Sequence, residues 1–176
     1  PSQPEALQYA ASCYANEPIE MSKKPAIPVF HHPIIETHCH LDYLESEALQ
    51  AALESAKAVN IERIITIGVS PDNLEKVMQL AQSHEQVWGT QGIHPHDAKE
   101  YSPAVDVQIR TNAQHPKMLA IGEIGLDYYY EHSDRAVQRQ VFESQLQIAI
   151  DLNLPVVIHT READEDTQAI LQILLD

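Results

Sequence analysis

From residue 34 onward, apolar and polar positions follow two alternating periods, one typical of strands and one typical of helices. Short apolar runs rich in β-branched residues predict strands, and apolar residues at i, i+3, i+4 and i+7 predict helices between them. The predicted strands end at Ile34-Ile35 or cover Ile61–Val69, Val87–Gly92, Met118–Gly122 and Pro155–Ile158. The predicted helices cover Ser46 to about Val59, the stretches opened by Ser70-Pro71 and Ser102-Pro103, Ala136–Ile150 and Ala163–Leu175. Strands that alternate with helices predict a parallel sheet with helices packed on it.

The ends and faces of these helices are also predicted by the pattern. Serine before proline is typical of an N-cap followed by the first helical residue, so Ser70 and Ser102 are expected to cap their helices. Ser46 is expected to cap the first helix in the same way. The helix over Ala136–Ile150 is expected to bury an apolar stripe, namely Val137, Val141, Phe142, Leu146 and Ala149.

Two architectures fit five strand–helix units. One is a small doubly wound sheet, and the other is the first part of an eightfold (β/α) barrel of the TIM type. The five units in residues 34–176 take about 29 residues each, so eight would need about 230, close to the roughly 250 typical of that barrel. By this count the chain is expected to be an incomplete barrel, with two open sheet edges that invite self-association.

Histidines and a carboxylate stand at the predicted ends of the strands. They are His38 and His40 after the first strand, His94 and His96 after the third, Glu123 at the end of the fourth and His159 at the end of the fifth. His38 and His40 are two residues apart, so they project to one side while Cys39 points away. In a barrel all strand ends face one mouth, whereas an open sheet can keep the first and fifth strands apart. Imidazole and carboxylate together suit Zn, Mn, Fe or Mg. Side chains from the first, fourth and fifth strands can share such ions only where the strand ends meet, which favours the barrel.

Other polar residues near these strand ends can be interpreted as purely structural. Asp127 with Tyr128 reads as a turn with aromatic packing, and His96 as a turn residue beside Pro95. Arg161 reads as part of an exposed pair that opens a helix, and His132 as a surface residue in a loop at the same edge.

Composition narrows the class of protein. Apolar residues make up 44% of the 176 residues and charged residues 21%, which is typical of a globular chain. With 11 Lys and Arg against 26 Asp and Glu, the net charge of −15 argues against a broad nucleic-acid-binding face. No apolar run approaches the roughly 20 residues of a membrane span. Only Cys13 and Cys39 are present, which excludes a disulfide scaffold and favours the cytoplasm.

Residues 1–33 are expected to form a loosely ordered N-terminal extension before a barrel domain over 34–176. They hold several prolines and no sustained periodicity, and their start lacks the pattern of a signal peptide. Met21 reads as a possible translation start, and His31 and His32 as residues of a solvated loop.

Four blocks of sequence together resemble the TatD family of metal-dependent deoxyribonucleases. They are ETHCHLD at 36–42, GIHPH at 92–96, IGEIGLDYY at 121–129 and LPVVIHTREA at 154–163, in the family's order and spacing. The resemblance implies a TIM barrel of the amidohydrolase-like group with two divalent metal ions (Mg, Mn or Zn). It implies hydrolysis of phosphodiester bonds in DNA, typically as a 3′→5′ exonuclease acting on single-stranded ends.

The resemblance also implies roles for individual residues. His38 and His40 are expected to hold the first ion, Glu123 to bridge both ions and His159 to hold the second. His94 and Arg161 are expected to contact the phosphate of the substrate, which makes His94 a catalytic candidate beside Glu123.

The sequence departs from the family pattern in two ways. Position 36 is Glu where the family more often has Asp. The resemblance further implies a histidine after a sixth strand and an aspartate after an eighth, and the 176 residues end before either. Two other hypotheses therefore stay open: a hydrolase of amide or ester bonds on the same scaffold, and a truncated chain with little or no activity.

Overall fold

The computed structural model describes residues 28–172, in which five strands alternate with five α-helices. The strands are β1 (Ile34–Cys39), β2 (Ile61–Thr66), β3 (Val87–Gln91), β4 (Met118–Asp127) and β5 (Val156–Arg161). The helices are α1 (Ser46–Ala58), α2 (Pro71–Ser83), α3 (Pro103–Asn112), α4 (Arg135–Leu152) and α5 (Asp164–Gln172). Two short 3₁₀ turns, Leu41–Tyr43 and Pro95–Glu100, follow β1 and β3. Every strand and helix that the sequence pattern predicts is therefore present.

The order of the strands decides between the two predicted architectures. All pairs are parallel, and the sheet runs β1-β2-β3-β4-β5 in chain order. Because strand–helix–strand crossovers are right-handed, an unreversed order leaves every helix on the same face of the sheet. A doubly wound sheet must reverse its direction once to cover both faces. The barrel prediction is therefore confirmed, and the doubly wound alternative is wrong.

Several predicted bounds differ from the structure. The fourth strand was predicted to end at Gly122, but β4 continues to Asp127 because its last residues pair with β5 through Gly125 and His159. The fifth strand likewise extends to Arg161 rather than Ile158, and the second ends at Thr66 rather than Val69. Glu123 and His159 consequently lie within paired strands and not at loose strand ends.

Capping follows the prediction at two helices and fails at one. The Ser102 side chain accepts a hydrogen bond from the backbone N–H of Val105, at 3.4 Å. At α2, the Asn73 side chain reaches back to the N–H of Ser70 (3.1 Å), as in a capping box. Ser46, however, is the first residue of α1, and the cap position is Glu45, whose side chain makes no capping bond.

The core lies between the sheet and the helix layer. Its largest cluster joins β4 to α3 and α4, and Phe142, Ile121 and Leu126 in it are fully buried. The prediction that Val137 belongs to the buried stripe of α4 is wrong. Val137 is 36% exposed because it lies past the edge of the packed face of the helix. The fully buried Gln138 takes the neighbouring inward position instead.

The margins of the described region bear on three further expectations. Within residues 28–172, β1 and β5 each pair along one edge only, and the predicted self-association stays a prediction. His31 and His32 are exposed, as expected for a solvated loop. Residues 1–27, with Met21 and Cys13, lie outside the described residues, so the division at residue 33 also stays a prediction.

None of the helices in the described part combines the length and apolar character that a membrane crossing requires.

Candidate metal centre

Glu123 of β4 stands at the centre of a cluster of histidines. Its Oε2 lies 3.3 Å from Nε2 of His38, and its Oε1 lies 3.2 Å from Nδ1 of His159. In a flat sheet β1 and β4 would be about 14 Å apart, three strand spacings. The contact between His38 and Glu123 therefore exists only because the sheet curls toward closure, which brings strand ends to a common mouth.

Two groups of side chains in this cluster have the spacing of metal ligands. His38, His40 and Glu123 form one group, and His94, Glu123 and His159 form the other, with potential ligand atoms within 4.8 Å of one another in each. Glu123 is common to both. The structure thus brings together all four residues that the sequence predicts as ligands, and it adds His94 to them.

The chemistry of these residues fits a divalent ion. Nδ1 of His40 is buried and has no hydrogen-bond partner among the described residues. A buried polar atom without a partner is costly, and an ion bound there would satisfy it. Imidazole nitrogens with one carboxylate suit Zn and the neighbouring transition metals better than an all-oxygen cage does.

The end of β1 is held so that its two histidines face the mouth. Oε1 of Glu36 accepts the backbone N–H of His38 (3.0 Å), and the N–H of Leu41 donates to Thr66 Oγ1 on β2 (3.1 Å). Cys39 points away from the site as predicted and packs beside Leu41 under α1. Its burial, together with nearby carboxylates, raises the pKa of the Cys39 thiol to about 11, so the thiol stays protonated at neutral pH.

His94 lies deeper in the mouth than the sequence suggested. Its ring centroid is 4.3 Å from that of His159, and its backbone N–H donates to the carbonyl of Val69 (2.7 Å). Burial, followed by the charge of His159, lowers the pKa of His94 to about 4, so the imidazole is neutral at neutral pH. A neutral imidazole can offer a lone pair to an ion or an N–H to a phosphate oxygen. The predicted phosphate contact of His94 stays a prediction.

Asp127, predicted to be part of a simple turn, is buried and contacts both His96 and His159, a member of the second group. Its Oδ2 lies 2.8 Å from Nε2 of His96 and 3.1 Å from Nε2 of His159, and only 1% of the residue is exposed. Its Oδ1 accepts the backbone N–H groups of Tyr129 (3.0 Å) and Tyr130 (2.9 Å). Burial alone would raise the pKa of Asp127, but the hydrogen bonds from Tyr130, His96 and His159 outweigh it, and the pKa falls to about 2.

The sequence suggested that His96 is only a turn residue, but its side chain contacts the buried carboxylate of Asp127. In the tautomer of His159 whose Nε2–H donates to Asp127, Nδ1 presents a lone pair on the Glu123 side. A carboxylate behind a ligand histidine fixes the tautomer and the orientation of its ring. His96 completes the same carboxylate's hydrogen bonds from the other side.

Two buried glutamines of α4 hold the backbone beneath these side chains. Gln145 accepts the N–H of Ile93 (2.7 Å) and donates to its carbonyl (3.1 Å), directly before His94. Gln138 does the same for Asp127, accepting its N–H (2.8 Å) and donating to its carbonyl (3.0 Å). Sequence reasoning missed both, although a signal was present: they lie seven residues apart within the apolar stripe of α4, where an unpaired amide would be costly.

Arg161, at the end of β5, is exposed at the same mouth. Its guanidinium carbon lies 4.0 Å from the centroid of the Tyr129 ring and 4.6 Å from that of Tyr130. Arg161 and Glu162 are both exposed just before α5, as the sequence suggested, and the structure adds the contacts of Arg161 with the two tyrosine rings. Its predicted contact with a phosphate stays a prediction.

Replacing Asp127 with asparagine is expected to weaken divalent-ion binding about 10- to 100-fold, the usual effect of losing an outer carboxylate partner. The amide would keep the size of the side chain but remove the charge that orients His159. Calorimetric titration of the purified chain with Zn²⁺ or Mn²⁺ measures the effect.

Asp106→Asn is the matched control, since Asp106 pairs with Tyr101 and Arg110 away from the site. Its ion affinity should equal that of the parent chain. Equal affinity in the Asp127 variant as well would show that Asp127 does not position a ligand.

Comparison with known proteins gives a consistent result. The family model described as TatD related DNase matches residues 35–175. The uncharacterized metal-dependent hydrolase YabD of Bacillus subtilis is 34% identical over 140 residues, which cover 79% of this chain and 55% of YabD. The 3′-5′ ssDNA/RNA exonuclease TatD of Enterobacter lignolyticus is 36% identical over 126 residues, covering 72% of this chain and 48% of that protein.

A solved structure extends the similarity to the fold. The TatD homolog YJJV of Escherichia coli superposes with a TM-score of 0.73 at 27% identity, over 79% of this chain and 55% of that one. The chain thus spans about half the length of the relatives it matches.

Proposed function

The chain belongs to the family of TatD-related DNases, and from that premise we propose that it is a divalent-metal-dependent nuclease. Its proposed reaction is hydrolysis of phosphodiester bonds in single-stranded DNA, from the 3′ end. Two divalent ions, Mg, Mn or Zn, are the proposed cofactors. We assign it to the cytoplasm because two cysteines in 176 residues do not make a disulfide framework.

The observation that carries this proposal is the position of Glu123. Its two carboxylate oxygens face different partners, Oε2 toward His38 and Oε1 toward His159, at 3.3 and 3.2 Å. A carboxylate with one oxygen for each of two ligand groups is suited to bridging a pair of ions. Two adjacent ions are the usual device of metal-dependent phosphodiesterases.

Each residue of the centre has a proposed role. His38 and His40 bind on the β1 side, His159 binds on the β5 side, and Glu123 joins the two. His94, beside His159, contacts the phosphate of the substrate. Divalent ions bound there would supply the charge that lowers the pKa of a water and offsets the charge of the scissile phosphate.

The remaining groups of the mouth act on the substrate or on the ligands. The guanidinium of Arg161 offers five N–H donors in a plane that matches phosphate oxygens. Asp127 keeps the ring of His159 in its binding orientation. The acidity of the chain does not oppose this function, since the centre itself carries the local positive charge when loaded.

A cleavage assay tests the proposal. Single-stranded DNA labelled at its 5′ end should be shortened stepwise from the 3′ end when Mn²⁺ or Mg²⁺ is added, and it should stay intact with EDTA. Single-stranded RNA of the same sequence tests the wider activity printed in the name of the Enterobacter relative. Duplex DNA should be cut more slowly, because its 3′ end is held in a base pair.

A hydrolase of amide or ester bonds is the second candidate, since the name of YabD specifies no bond. Chromogenic amide and ester substrates belong in the same assay. A metal-loaded chain that cuts these and leaves both nucleic acids intact would contradict the nuclease proposal.

A further inference from the structure

Two tyrosines beside the metal centre expose large aromatic surface. Tyr129 and Tyr130 lie two and three residues after the end of β4 at Asp127 and are 52% and 50% exposed. Their ring centroids lie 4.8 Å apart with the rings at 90°. Exposed aromatic side chains grouped at the edge of a site are typical of binding surfaces rather than of folding.

Arg161 joins the two rings into a single surface. Its guanidinium carbon lies 4.0 Å from the Tyr129 centroid and 4.6 Å from the Tyr130 centroid. We call Tyr129, Tyr130 and Arg161 the stacking surface. The ring of His132 lies nearly parallel to that of Tyr130, at 6°, with centroids 5.6 Å apart, and extends the aromatic area.

The stacking surface is held in place from below. Both tyrosine N–H groups donate to the buried Oδ1 of Asp127, and the N–H of Tyr128 donates to the carbonyl of Arg161 at 2.9 Å. The surface is therefore formed before any ligand binds, which lowers the entropic cost of binding.

The charge of Arg161 points to an anionic ligand. Arg110, Arg135 and Arg139 each pair with a carboxylate. Arg63 and Arg161 pair with no carboxylate within 4.0 Å among residues 28–172, in a chain whose net charge is −15. Arg63 lies over Trp88, and of the two only Arg161 lies beside the histidine cluster. An exposed arginine that is packed on aromatic rings and has no carboxylate partner keeps N–H donors that a phosphate could accept.

The stacking surface adjoins the metal centre. The ring of His96 lies 5.5 Å from that of Tyr130 and 4.4 Å from that of His94, measured between centroids. One imidazole thus separates the exposed tyrosines from the second ligand group. A ligand that reached both would present a flat apolar face and an anionic group close to each other.

We propose that the stacking surface binds a nucleobase of single-stranded nucleic acid while Arg161 contacts a phosphate of the same strand. This deepens, and rests on, the proposed nuclease function. Bases of a single strand expose their faces to aromatic side chains, whereas those of a duplex are already stacked on their neighbours. The surface would accept any base, because every base has a π-face.

The test separates base stacking from attraction to phosphate. Binding of a short fluorescent oligothymidylate and of an abasic oligomer of equal length is measured by anisotropy, with EDTA present to prevent cleavage. The parent chain should bind the oligothymidylate about tenfold more tightly than the abasic strand, as is typical of stacking on aromatic residues. Tyr129→Leu and Tyr130→Leu should each reduce this ratio, and the double variant should bring it close to one.

Two control variants complete the design. Tyr130→Phe keeps the ring and should keep the ratio. Phe30→Leu removes an exposed aromatic ring that lies before β1, away from the mouth, and should leave the ratio unchanged. Melting curves confirm that every variant is folded.

The outcomes distinguish the two proposals. A ratio near one in the parent chain, or an unchanged ratio in the double variant, overturns the stacking surface even if the loaded chain cuts DNA. A ratio that depends on the two tyrosines supports the stacking surface even if no cleavage occurs, in which case the nuclease proposal alone fails.

Discussion

Changing Glu123 to glutamine is expected to abolish most divalent-ion binding and, with it, the proposed nuclease activity. The amide keeps the shape of the side chain but loses the charge and one of the two acceptor oxygens that face His38 and His159. Because Glu123 is common to both ligand groups, both should weaken together. The loss should exceed the roughly 10- to 100-fold that follows removal of an outer carboxylate.

Ion content after dialysis and calorimetric titration with Mn²⁺ or Zn²⁺ measure this change, and the single-strand cleavage assay follows its effect on turnover. Glu36→Gln is the matched control. Glu36 is a nearby carboxylate whose contact is the backbone N–H of His38, which glutamine can still accept. If the Glu123 variant binds ions as tightly as the Glu36 variant, Glu123 is not a ligand and the assignment of the centre is wrong.

Replacing Gly125 with alanine should destabilise the fold more than the same change at Gly89 on β3, where an added Cβ would meet only side chains. Gly125 has φ of +141°, which residues with a side chain rarely adopt, and an added Cβ would overlap the carbonyl oxygen of His159. His159 is its partner in the β4–β5 register, so the two strands would have to separate. Backbone strain and overpacking together are expected to cost more than about 3 kcal/mol.

Thermal unfolding measures this cost, which corresponds to a fall in melting temperature of roughly 6–12 °C for a chain of this size. Gly89→Ala is the matched control on β3. Its Cβ would approach Val77 Cγ1 at 2.7 Å and Met118 Cε at 2.8 Å, which are the ends of side chains that can move. Equal melting temperatures for the two variants would show that the β4–β5 seam tolerates a side chain at Gly125.

Local sequence determined the elements of this protein because strand and helix periods are properties of neighbouring residues. The stripe of Val141, Phe142 and Leu146 predicts α4 without knowledge of its partners, since any helix with that spacing must bury that face. The end of β4 could not be predicted in this way. Gly122 reads locally as a strand end, and only the pairing of Gly125 with His159 on β5 extends the strand to Asp127.

The same limit applied to the candidate metal centre. His38, His40, Glu123 and His159 could be predicted as ligands because a charged or imidazole side chain directly beside an apolar strand needs a reason to be there. Asp127 was missed because an aspartate before tyrosines is ordinary in a turn, and its partners His96 and His159 are 31 and 32 residues away in sequence.

The sequence by itself thus determined which segments are strands, which are helices, and which side chains stand at one edge of the sheet. The position of these side chains and the family resemblance favoured the barrel, but the hydrophobic period alone left open whether the sheet reverses its direction, because that depends on the order in which strands pair. Only the tertiary structure decided this, through the unreversed order β1 to β5 and the curl that brings His38 within 3.3 Å of Glu123. Distances between residues 85 positions apart depend on the accumulated twist and pairing of every strand between them, which no local pattern encodes.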